Sequence, residues 1–210
     1  MITRIAVLVS GSGTNLQALI DAESRGDIPS GQINLVISDR SGVKALERAE
    51  AAGIPTAVVP AKASDQQGGS FAQRLIGKLA EHDVDMVVLA GFLSIVPSVV
   101  VARYEGAMIN IHPSLLPAFG GKGYWGLRVH EAALARGVKV TGATVHYVND
   151  EPDAGQIIVQ EPVPVLATDT PPSLQRRVME QAEWRILPRA AEYVAAQVRR
   201  RKSTNPKGVA

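Results

Sequence analysis

Short aliphatic runs alternate with segments of helical periodicity along the first half of the chain. Five of these runs have strand length and are rich in Val, Ile, Leu and Ala, at residues 5–9, 33–37, 57–59, 86–90 and 107–111. Runs that are apolar throughout are typical of strands buried on both faces, as in a parallel sheet covered by helices. The alternation therefore predicts an α/β fold with a doubly wound, Rossmann-like, mostly parallel sheet and right-handed crossovers.

The remaining elements complete this pattern and change it near the C-terminal end. Helices between the strands are predicted from the spacing of apolar side chains, at residues 15–22, 43–52, 71–81, 97–103 and 130–136. Two extended segments, 140–148 and 156–163, then follow each other and predict an antiparallel edge of the sheet. Pro171 and Pro172 open a last long helix from 173 to about 198. We expect a single domain over residues 1–198 and a frayed basic tail over 199–210.

Composition excludes several classes of function. The chain has 210 residues, of which 46% are hydrophobic, and its net charge of +2 does not indicate a dedicated nucleic-acid-binding protein. Cysteine is absent, so disulfides, thiolate zinc sites, iron–sulfur clusters and cysteine nucleophiles are excluded. The sequence has no signal-peptide core and no apolar run of about 18 residues. We therefore expect a cytoplasmic protein that does not associate with membranes.

A glycine-rich turn, Ser10-Gly11-Ser12-Gly13-Thr14-Asn15, lies between the first predicted strand and the first predicted helix. Glycines let the backbone approach a ligand, and the N–H groups of the following helix favour an anion such as phosphate. Leu16 stands where a dinucleotide fingerprint places its third glycine, and the chain has no Gly-Lys-Ser/Thr of a P-loop. The turn thus predicts a site for a phosphate monoester; the alternative is a plain tight turn in which Thr14 caps the helix. Asp39, after the second strand, is expected to be a surface turn residue.

A second motif, Asn110-Ile111-His112-Pro113-Ser114-Leu115-Leu116-Pro117, ends the fifth predicted strand. Side chains two positions apart leave a strand on the same face, so Asn110 and His112 project together at the carboxyl edge, where open α/β sheets bind ligands. An amide N–H beside an imidazole is suited to polarising a carbonyl and stabilising the oxyanion that develops. The alternative is that His112 is a structural strand-end histidine.

Three acids in a later turn are candidates to face this histidine and favour its charged form. Spacing alone does not choose among them: Asp150, Glu151 and Asp153. The chain has four histidines without metal-ligand spacing, so no metal is expected: His82, His112, His130 and His146. His146 either supports the site or is a structural histidine.

Together these motifs resemble the glycinamide ribonucleotide (phosphoribosylglycinamide) formyltransferases, a folate-dependent family of purine synthesis. The resemblance covers roughly residues 3–195, with markers Ser-Gly-x-Gly-Thr-Asn at 10–15, Leu-Ala-Gly-Phe-Leu at 89–93, Asn-Ile-His-Pro-Ser-Leu-Leu-Pro at 110–117, Thr-Gly-Ala-Thr-Val-His at 141–146 and Asp-x-Gly at 153–155. It implies the formyltransferase fold and transfer of a formyl group from the co-substrate 10-formyltetrahydrofolate to the primary amine of 5′-phosphoribosylglycinamide. The expected partners are then these small molecules, with no nucleic acid or membrane, and the protein is expected to be a monomer or a homodimer.

The resemblance also implies roles for individual residues. The implied catalytic set, which selects one acid of the three, is Asn110, His112 and Asp153. The implied substrate-binding set is Gly13, Thr14 and Asn15 in the phosphate loop and, on the ribose side, Glu183 in the last helix. The folate pocket corresponds to segments 93–96 and 149–153, with the contact residues Leu93, Ser94, Ile95, Val96, Asn149 and Asp150.

Departures from the family pattern leave some contacts open. Ser94 stands where many members carry Arg, and segment 120–126 follows only one branch of the family. The loop 65–70 has no Arg where some members bind the folate glutamate, so that contact stays unassigned, with Lys122 as a candidate substitute.

The mechanism implied is direct attack of the glycinamide amine on the formyl carbon, because positioning two bound reactants can contribute roughly 7–11 kcal/mol without covalent catalysis. On this hypothesis His112 is protonated with help from Asp153, stabilises the oxyanion and then protonates the departing folate nitrogen. Asn110 is the second hydrogen-bond donor.

Other functions share part of these features. A formyltetrahydrofolate deformylase would carry an extra N-terminal domain, whereas the first strand here begins at Arg4 or Ile5. Methionyl-tRNA formyltransferase would carry a further C-terminal domain, for which 210 residues leave no room. A non-catalytic phosphate- or nucleotide-binding module would share the glycine turn but would not need Asn110, His112 and Asp153 together.

Overall fold

Helices and strands alternate through the computed structural model, which describes residues 2–62 and 69–204. The strands are β1 (Thr3–Val9), β2 (Gly31–Ser38), β3 (Thr56–Val58), β4 (Met86–Leu89), β5 (Met108–His112), β6 (Val140–Tyr147) and β7 (Ile157–Pro164). The α-helices are α1 (Thr14–Ser24), α2 (Lys44–Ala51), α3 (Phe71–Glu81), α4 (Ser98–Arg103), α5 (Leu127–Arg136), α6 (Pro171–Val178) and α7 (Trp184–Thr204). A π-helical turn, Met179–Glu183, joins α6 to α7.

The strands form one seven-stranded sheet in the order β3-β2-β1-β4-β5-β6-β7. Strands β1 to β5 are parallel, β6 is antiparallel to β5, and β7 is antiparallel to β6. This confirms the predicted mostly parallel, doubly wound sheet with an antiparallel edge formed by its last strands. The order reverses between β1 and β4, so the loops after these two strands meet at the switch point where such sheets bind ligands.

The central parts of β1, β2 and β4 are apolar because both of their faces are covered. In β1, Ile5, Val7 and Val9 enter a core shared with α1, α2, α5, α6 and α7, while Ala6 and Leu8 enter a second core shared with α3 and α4. Full burial of one such aliphatic side chain contributes roughly 1.5–3 kcal/mol, so the chain can form its core with few aromatic residues. No helix within the described ranges is both long and apolar enough to cross a membrane.

The C-terminal helices differ from the prediction in two ways. Helix α6 begins at Pro171, after a capping box between Thr170 and Ser173, but the π-helical turn separates it from α7. Helix α7 then continues to Thr204, beyond the predicted end near residue 198. Its last turns are held by distant residues, since Lys202 Nζ lies 2.5 Å from the carboxylate of Asp85. Residues 199–204 are therefore helical rather than frayed, and residues 205–210 lie outside the described part of the chain.

Candidate active site

Strand β5 carries Asn110 and His112 to the carboxyl edge of the sheet, as their spacing predicts. In the antiparallel pairing of β5 with β6, Asn110 lies opposite His146 and His112 lies opposite Thr144. The Nδ2 atom of Asn110 is 3.1 Å from Nε2 of His146. Strand pairing thus brings into the site a second histidine, which the sequence alone could not assign.

Asp153 reaches these side chains from the turn between β6 and β7. Its carboxylate lies 3.4 Å from Nδ1 of His112, 3.4 Å from Nδ2 of Asn110 and 3.6 Å from Nε2 of His146. The backbone N–H of Gly121 donates a hydrogen bond of 2.8 Å to the same carboxylate. The structure therefore brings together the three residues of the implied catalytic set, with His146 beside them.

The backbone of this turn determines which of the three acids faces the histidine. Asp153 has a φ of 58°, which is uncommon for a residue other than glycine. Two positions later, a Cβ atom at Gly155 would collide with the carbonyl oxygen of Tyr147, so only glycine fits. Asp150 and Glu151, by contrast, are exposed and line the cleft without contacting the histidine.

Carbonyl partners indicate which histidine nitrogens carry hydrogen. Nε2 of His112 lies 2.8 Å from the carbonyl oxygen of Phe119, and Nδ1 of His146 lies 2.8 Å from that of Tyr147. A carbonyl oxygen only accepts hydrogen bonds, so each of these nitrogens is the donor. In the neutral tautomers, Nδ1 of His112 then has no hydrogen and faces Asp153, and Nε2 of His146 accepts a hydrogen bond from Asn110.

The charges of the two central groups are set mainly by burial and by each other. Burial lowers the pKa of His112, and the opposing effects of Asp153 and the Phe119 carbonyl do not cancel it. Burial acts to raise the pKa of Asp153, but the neighbouring imidazoles of His146 and His112 and the hydrogen bond from the Gly121 N–H outweigh it, and the net pKa is lowered. The resting site therefore holds a neutral imidazole beside a charged carboxylate. Desolvation of the imidazolium is thus the larger effect on the pKa of His112 in the free site, and protonation of His112 during the reaction stays a prediction.

A cleft of ≈ 910 Å³ opens beside Asn110 and His112, between segments 91–95, 121–126 and 150–153. A narrower pocket of ≈ 130 Å³ has apolar walls from Leu89, Val101 and Val148. Asn110 and Asp153 line both spaces. The residues predicted for the folate pocket also line one space or both: Leu93, Ser94, Ile95, Val96, Asn149 and Asp150. Lys122 lines the larger cleft.

The glycine turn lies at the same edge of the sheet, after β1. Gly13 has a φ of 72°, and a Cβ there would lie 2.7 Å from the Cα of Ala45, so close packing against α2 requires glycine. Gly13, not Thr14, occupies the cap position of α1, and Thr14 Oγ1 instead lies 3.7 Å from the sulfur of Met179. The predicted alternative of a Thr14 cap is therefore wrong. Because Gly13 has no side chain, no cap side chain accepts hydrogen bonds from the first N–H groups of α1. Free N–H groups at a helix N-terminus favour anion binding.

The last helices meet α1 beside this turn. Nδ2 of Asn15 donates a hydrogen bond of 2.5 Å to Oε2 of Glu183, the last residue of the π-helical turn. Burial raises the pKa of Glu183 to about 7, against the effect of this hydrogen bond. Single π-helical turns, such as the one that ends at Glu183, are frequent at functional sites. The predicted substrate-binding residues Asn15 and Glu183 are therefore in direct contact.

Some polar residues differ from what the sequence indicated. Asp39 is not at the surface, since its side chain is 3% exposed and accepts hydrogen bonds from Arg40 and Ser94. His130, on α5, is fully buried, and burial together with the nearby His112 lowers its pKa to about 4. Neither residue carried a local signal, because their burial depends on segments distant in the sequence. The unassigned glutamate contact in loop 65–70 falls mostly on residues 63–68, which are outside the described residues.

Comparison with known proteins identifies the family of the chain. A family model described as formyl transferase matches residues 3–191. The trifunctional purine biosynthetic protein adenosine-3 of Homo sapiens is 47% identical over 193 residues, which cover 92% of this chain and 18% of that protein. The chloroplastic phosphoribosylglycinamide formyltransferase of Vigna unguiculata is 39% identical over 178 residues, which cover 85% of this chain and 56% of that protein.

A solved structure gives the same result. Glycinamide ribonucleotide transformylase 1 from Symbiobacterium toebii superimposes with a TM-score of 0.85 and 42% identity, over 93% of this chain and 89% of that one. The chain spans less than two thirds of the length of the two curated relatives. It belongs to the formyl transferase family.

Proposed function

We propose that this chain transfers the formyl group of 10-formyltetrahydrofolate to the primary amine of 5′-phosphoribosylglycinamide. The observation that carries the proposal is the convergence of Asn110, His112 and Asp153 at the junction of two ligand-sized spaces. The glycine turn follows β1, and β4 lies between β1 and β5, so the two strands that carry the turn and Asn110 are about 10 Å apart at the same edge of the sheet. A phosphorylated sugar with a short amine arm can span this gap.

The substrate's ribose would lie between these two ends, beside Asn15 and Glu183. A charged carboxylate can accept hydrogen bonds from two neighbouring hydroxyl groups. Such bonds favour the charged form and would lower the pKa of Glu183 from about 7. Substrate binding would then release a proton near neutral pH.

The two spaces beside Asn110 fit the folate co-substrate. The apolar walls formed by Leu89, Val101 and Val148 can hold a flat ring, and the turn 149–153 offers backbone partners for its polar edge. The larger cleft has room for the rest of the molecule. Since Asn110 and Asp153 line both spaces, a formyl group at the junction would be next to the catalytic set.

Proton transfer follows from the resting state of His112. Its Nδ1 has no hydrogen, so it can accept a proton from the amine once the amine nitrogen has bonded to the formyl carbon and become positively charged. Asp153, 3.4 Å away, stabilises the imidazolium. The proton then passes to the folate nitrogen as its bond to the formyl carbon breaks. The products are tetrahydrofolate with an N–H group and a formylated amine, so the atoms balance.

Asn110 would stabilise the negative charge that develops on the formyl oxygen. One hydrogen of its amide nitrogen bonds to His146 at 3.1 Å, which orients the group. The other makes only a long contact of 3.4 Å with Asp153 and is available for the substrate oxygen. A preorganised donor of this kind is worth about 10²–10³ in rate.

The test combines the protein with 10-formyltetrahydrofolate and phosphoribosylglycinamide and follows the release of tetrahydrofolate. We expect release only when the amine is present, and a much weaker reaction with the dephosphorylated acceptor, because the contact with the glycine turn is lost. Release without the amine would instead identify a formyltetrahydrofolate hydrolase. No release under any of these conditions would favour a non-catalytic phosphate-binding module.

The setting of the reaction is also part of the proposal. The partners are the two small-molecule substrates, and the protein acts as a monomer or a homodimer. The cysteine-free composition supports a reducing, cytoplasmic location.

A further inference from the structure

A buried carboxylate, Asp39, lies at the carboxyl end of β2, outside the residues assigned to either substrate. Its side chain is 3% exposed and accepts hydrogen bonds of 3.0 and 3.1 Å from the guanidinium of Arg40. Burying a charged carboxylate is unfavourable unless charged and polar partners compensate for the lost water.

The other partners of Asp39 come from two neighbouring loops. The hydroxyl of Ser94, after β4, donates a hydrogen bond of 2.7 Å to Oδ2 of Asp39. The hydroxyl of Ser10, which begins the glycine turn after β1, lies near the same carboxylate and helps to lower its pKa. Since β2, β1 and β4 are adjacent in the sheet, Asp39 lies where the loops that follow these three strands meet, and its hydrogen bond with Ser94 joins two of them.

Further bonds connect two of these loops directly. The Oγ atom of Ser10 accepts a hydrogen bond of 2.8 Å from the N–H of Leu93. The N–H of Ser10 donates a hydrogen bond of 3.1 Å to the carbonyl oxygen of Gly91. Burial acts to raise the pKa of Asp39, but the hydrogen bonds from Arg40 and Ser94, with a contribution from the nearby Ser10 hydroxyl, outweigh it and hold the pKa below its usual value. Asp39 is therefore charged at neutral pH, and bonds to a charged acceptor are stronger than neutral ones.

The side chains on either side of Ser94 contribute little to fixing this loop. Leu93 is 47% exposed and Ile95 is 75% exposed, although both line the cleft proposed for formylfolate. A segment with few buried apolar contacts depends on its hydrogen bonds for its position. Loss of the bond to Asp39 should therefore loosen this wall of the cleft.

We propose that Asp39 and Ser94 are positioning residues for the folate side of the transfer, in which the Asp39 carboxylate holds Ser94 and so fixes the wall 93–96 before the co-substrate binds. The identity of the ligand rests on the proposed function, whereas the link between Asp39 and Ser94 rests on the hydrogen bonds described above. A preformed wall lowers the cost of ordering the loop on binding. The hydrogen bond between Asp39 and Ser94 thus affects the affinity for folate. The chemical step depends on Asn110, His112 and Asp153.

The experiment compares Ser94→Ala with Ser94→Thr, which keeps the hydroxyl, and with the matched control Ser98→Ala at an exposed position of α4. Calorimetric titration with tetrahydrofolate gives the dissociation constant, and steady-state kinetics give kcat and both KM values. Amide hydrogen exchange of residues 91–96 in the ligand-free protein reports the loop itself.

We expect Ser94→Ala to raise the Kd of tetrahydrofolate and the KM for 10-formyltetrahydrofolate by about ten-fold or more, as for the loss of a hydrogen bond to a charged group. Its kcat and its KM for phosphoribosylglycinamide should be unchanged, and its loop amides should exchange faster. Ser98→Ala should behave as the wild type in every measurement, and Ser94→Thr, which keeps the hydroxyl, should weaken tetrahydrofolate binding and loosen the loop amides less than Ser94→Ala does.

Two results would overturn this inference: unchanged tetrahydrofolate binding in Ser94→Ala, or tetrahydrofolate binding that is weakened equally in Ser98→Ala. Formyl transfer by the wild-type protein would still support the proposed function in either case. A fall in kcat with unchanged tetrahydrofolate binding would also overturn the inference, since the link between Asp39 and Ser94 would then act on the chemical step. A wild-type protein that neither binds tetrahydrofolate nor transfers the formyl group would overturn the proposed function itself.

Discussion

Glu183→Gln isolates the free energy of ionising the buried acid beside the glycine turn. Burial raises the pKa of Glu183 from an ordinary 4.5 to about 7. Since one pKa unit corresponds to about 1.4 kcal/mol, ionisation is roughly 3 kcal/mol less favourable in the folded protein than in the unfolded chain. A raised pKa means that the folded state binds the proton more tightly. The stability linked to protonated Glu183 is therefore fully present below pH 4.5 and is lost as the pH rises through about 7.

Glutamine has the shape of the protonated acid, can accept the same hydrogen bond from Asn15 and cannot ionise. The assay is urea unfolding of the wild type and the variant between pH 5 and pH 9. From pH 5 to pH 8.5, the free energy of unfolding of Glu183→Gln should rise relative to the wild type by about 2–3 kcal/mol. The matched control is Glu180→Gln in the same π-helical turn, where the side chain is 51% exposed and lies 3.7 Å from Arg176. Its effect should stay below about 0.5 kcal/mol at every pH.

Two results would refute this reasoning. One is a difference between the wild type and Glu183→Gln that does not depend on pH. The other is the same pH dependence in Glu180→Gln, which would locate the effect in the general charge of the turn and not in the buried carboxyl group.

Three other variants test the site. Asn110→Ala should lower kcat by about 10²–10³ with unchanged thermal unfolding, and near-wild-type turnover would remove Asn110 from the mechanism. Asp153→Asn removes the charge that raises the pKa of His112, so the acid limb of the pH–rate profile should move to lower pH; an unaltered limb would contradict the coupling of these residues. Gly13→Ala places a Cβ 2.7 Å from the Cα of Ala45, so it should destabilise the fold by about 1–3 kcal/mol in urea unfolding and raise the KM for phosphoribosylglycinamide; wild-type stability would refute the packing argument.

Local patterns predicted much of the architecture. The apolar runs correspond to β1 to β5. For the inner strands the reason is burial on both faces, a pattern that is visible without tertiary information, whereas the edge strand β3 is partly exposed. The side-by-side projection of Asn110 and His112 also followed from strand geometry alone.

Other features depend on contacts between segments distant in the sequence. Asp153 differs from Asp150 and Glu151 only through the backbone of its turn, and His146 joins the site through the register of β6 on β5. The continuation of α7 to Thr204 involves Asp85, far earlier in the chain. The sequence shows none of these pairings. It also does not show the lowered pKa of His112, because burial in the folded protein causes that shift.

The most direct test is a single-turnover reaction with 10-formyltetrahydrofolate that carries ¹³C in its formyl group. With the wild-type protein and phosphoribosylglycinamide, mass spectrometry should find the label on the acceptor amine. His112→Ala should transfer it at least about 100-fold more slowly. Label that remains on the folate or appears as formate with the wild type, or equal rates in the two proteins, would contradict formyl transfer by Asn110, His112 and Asp153.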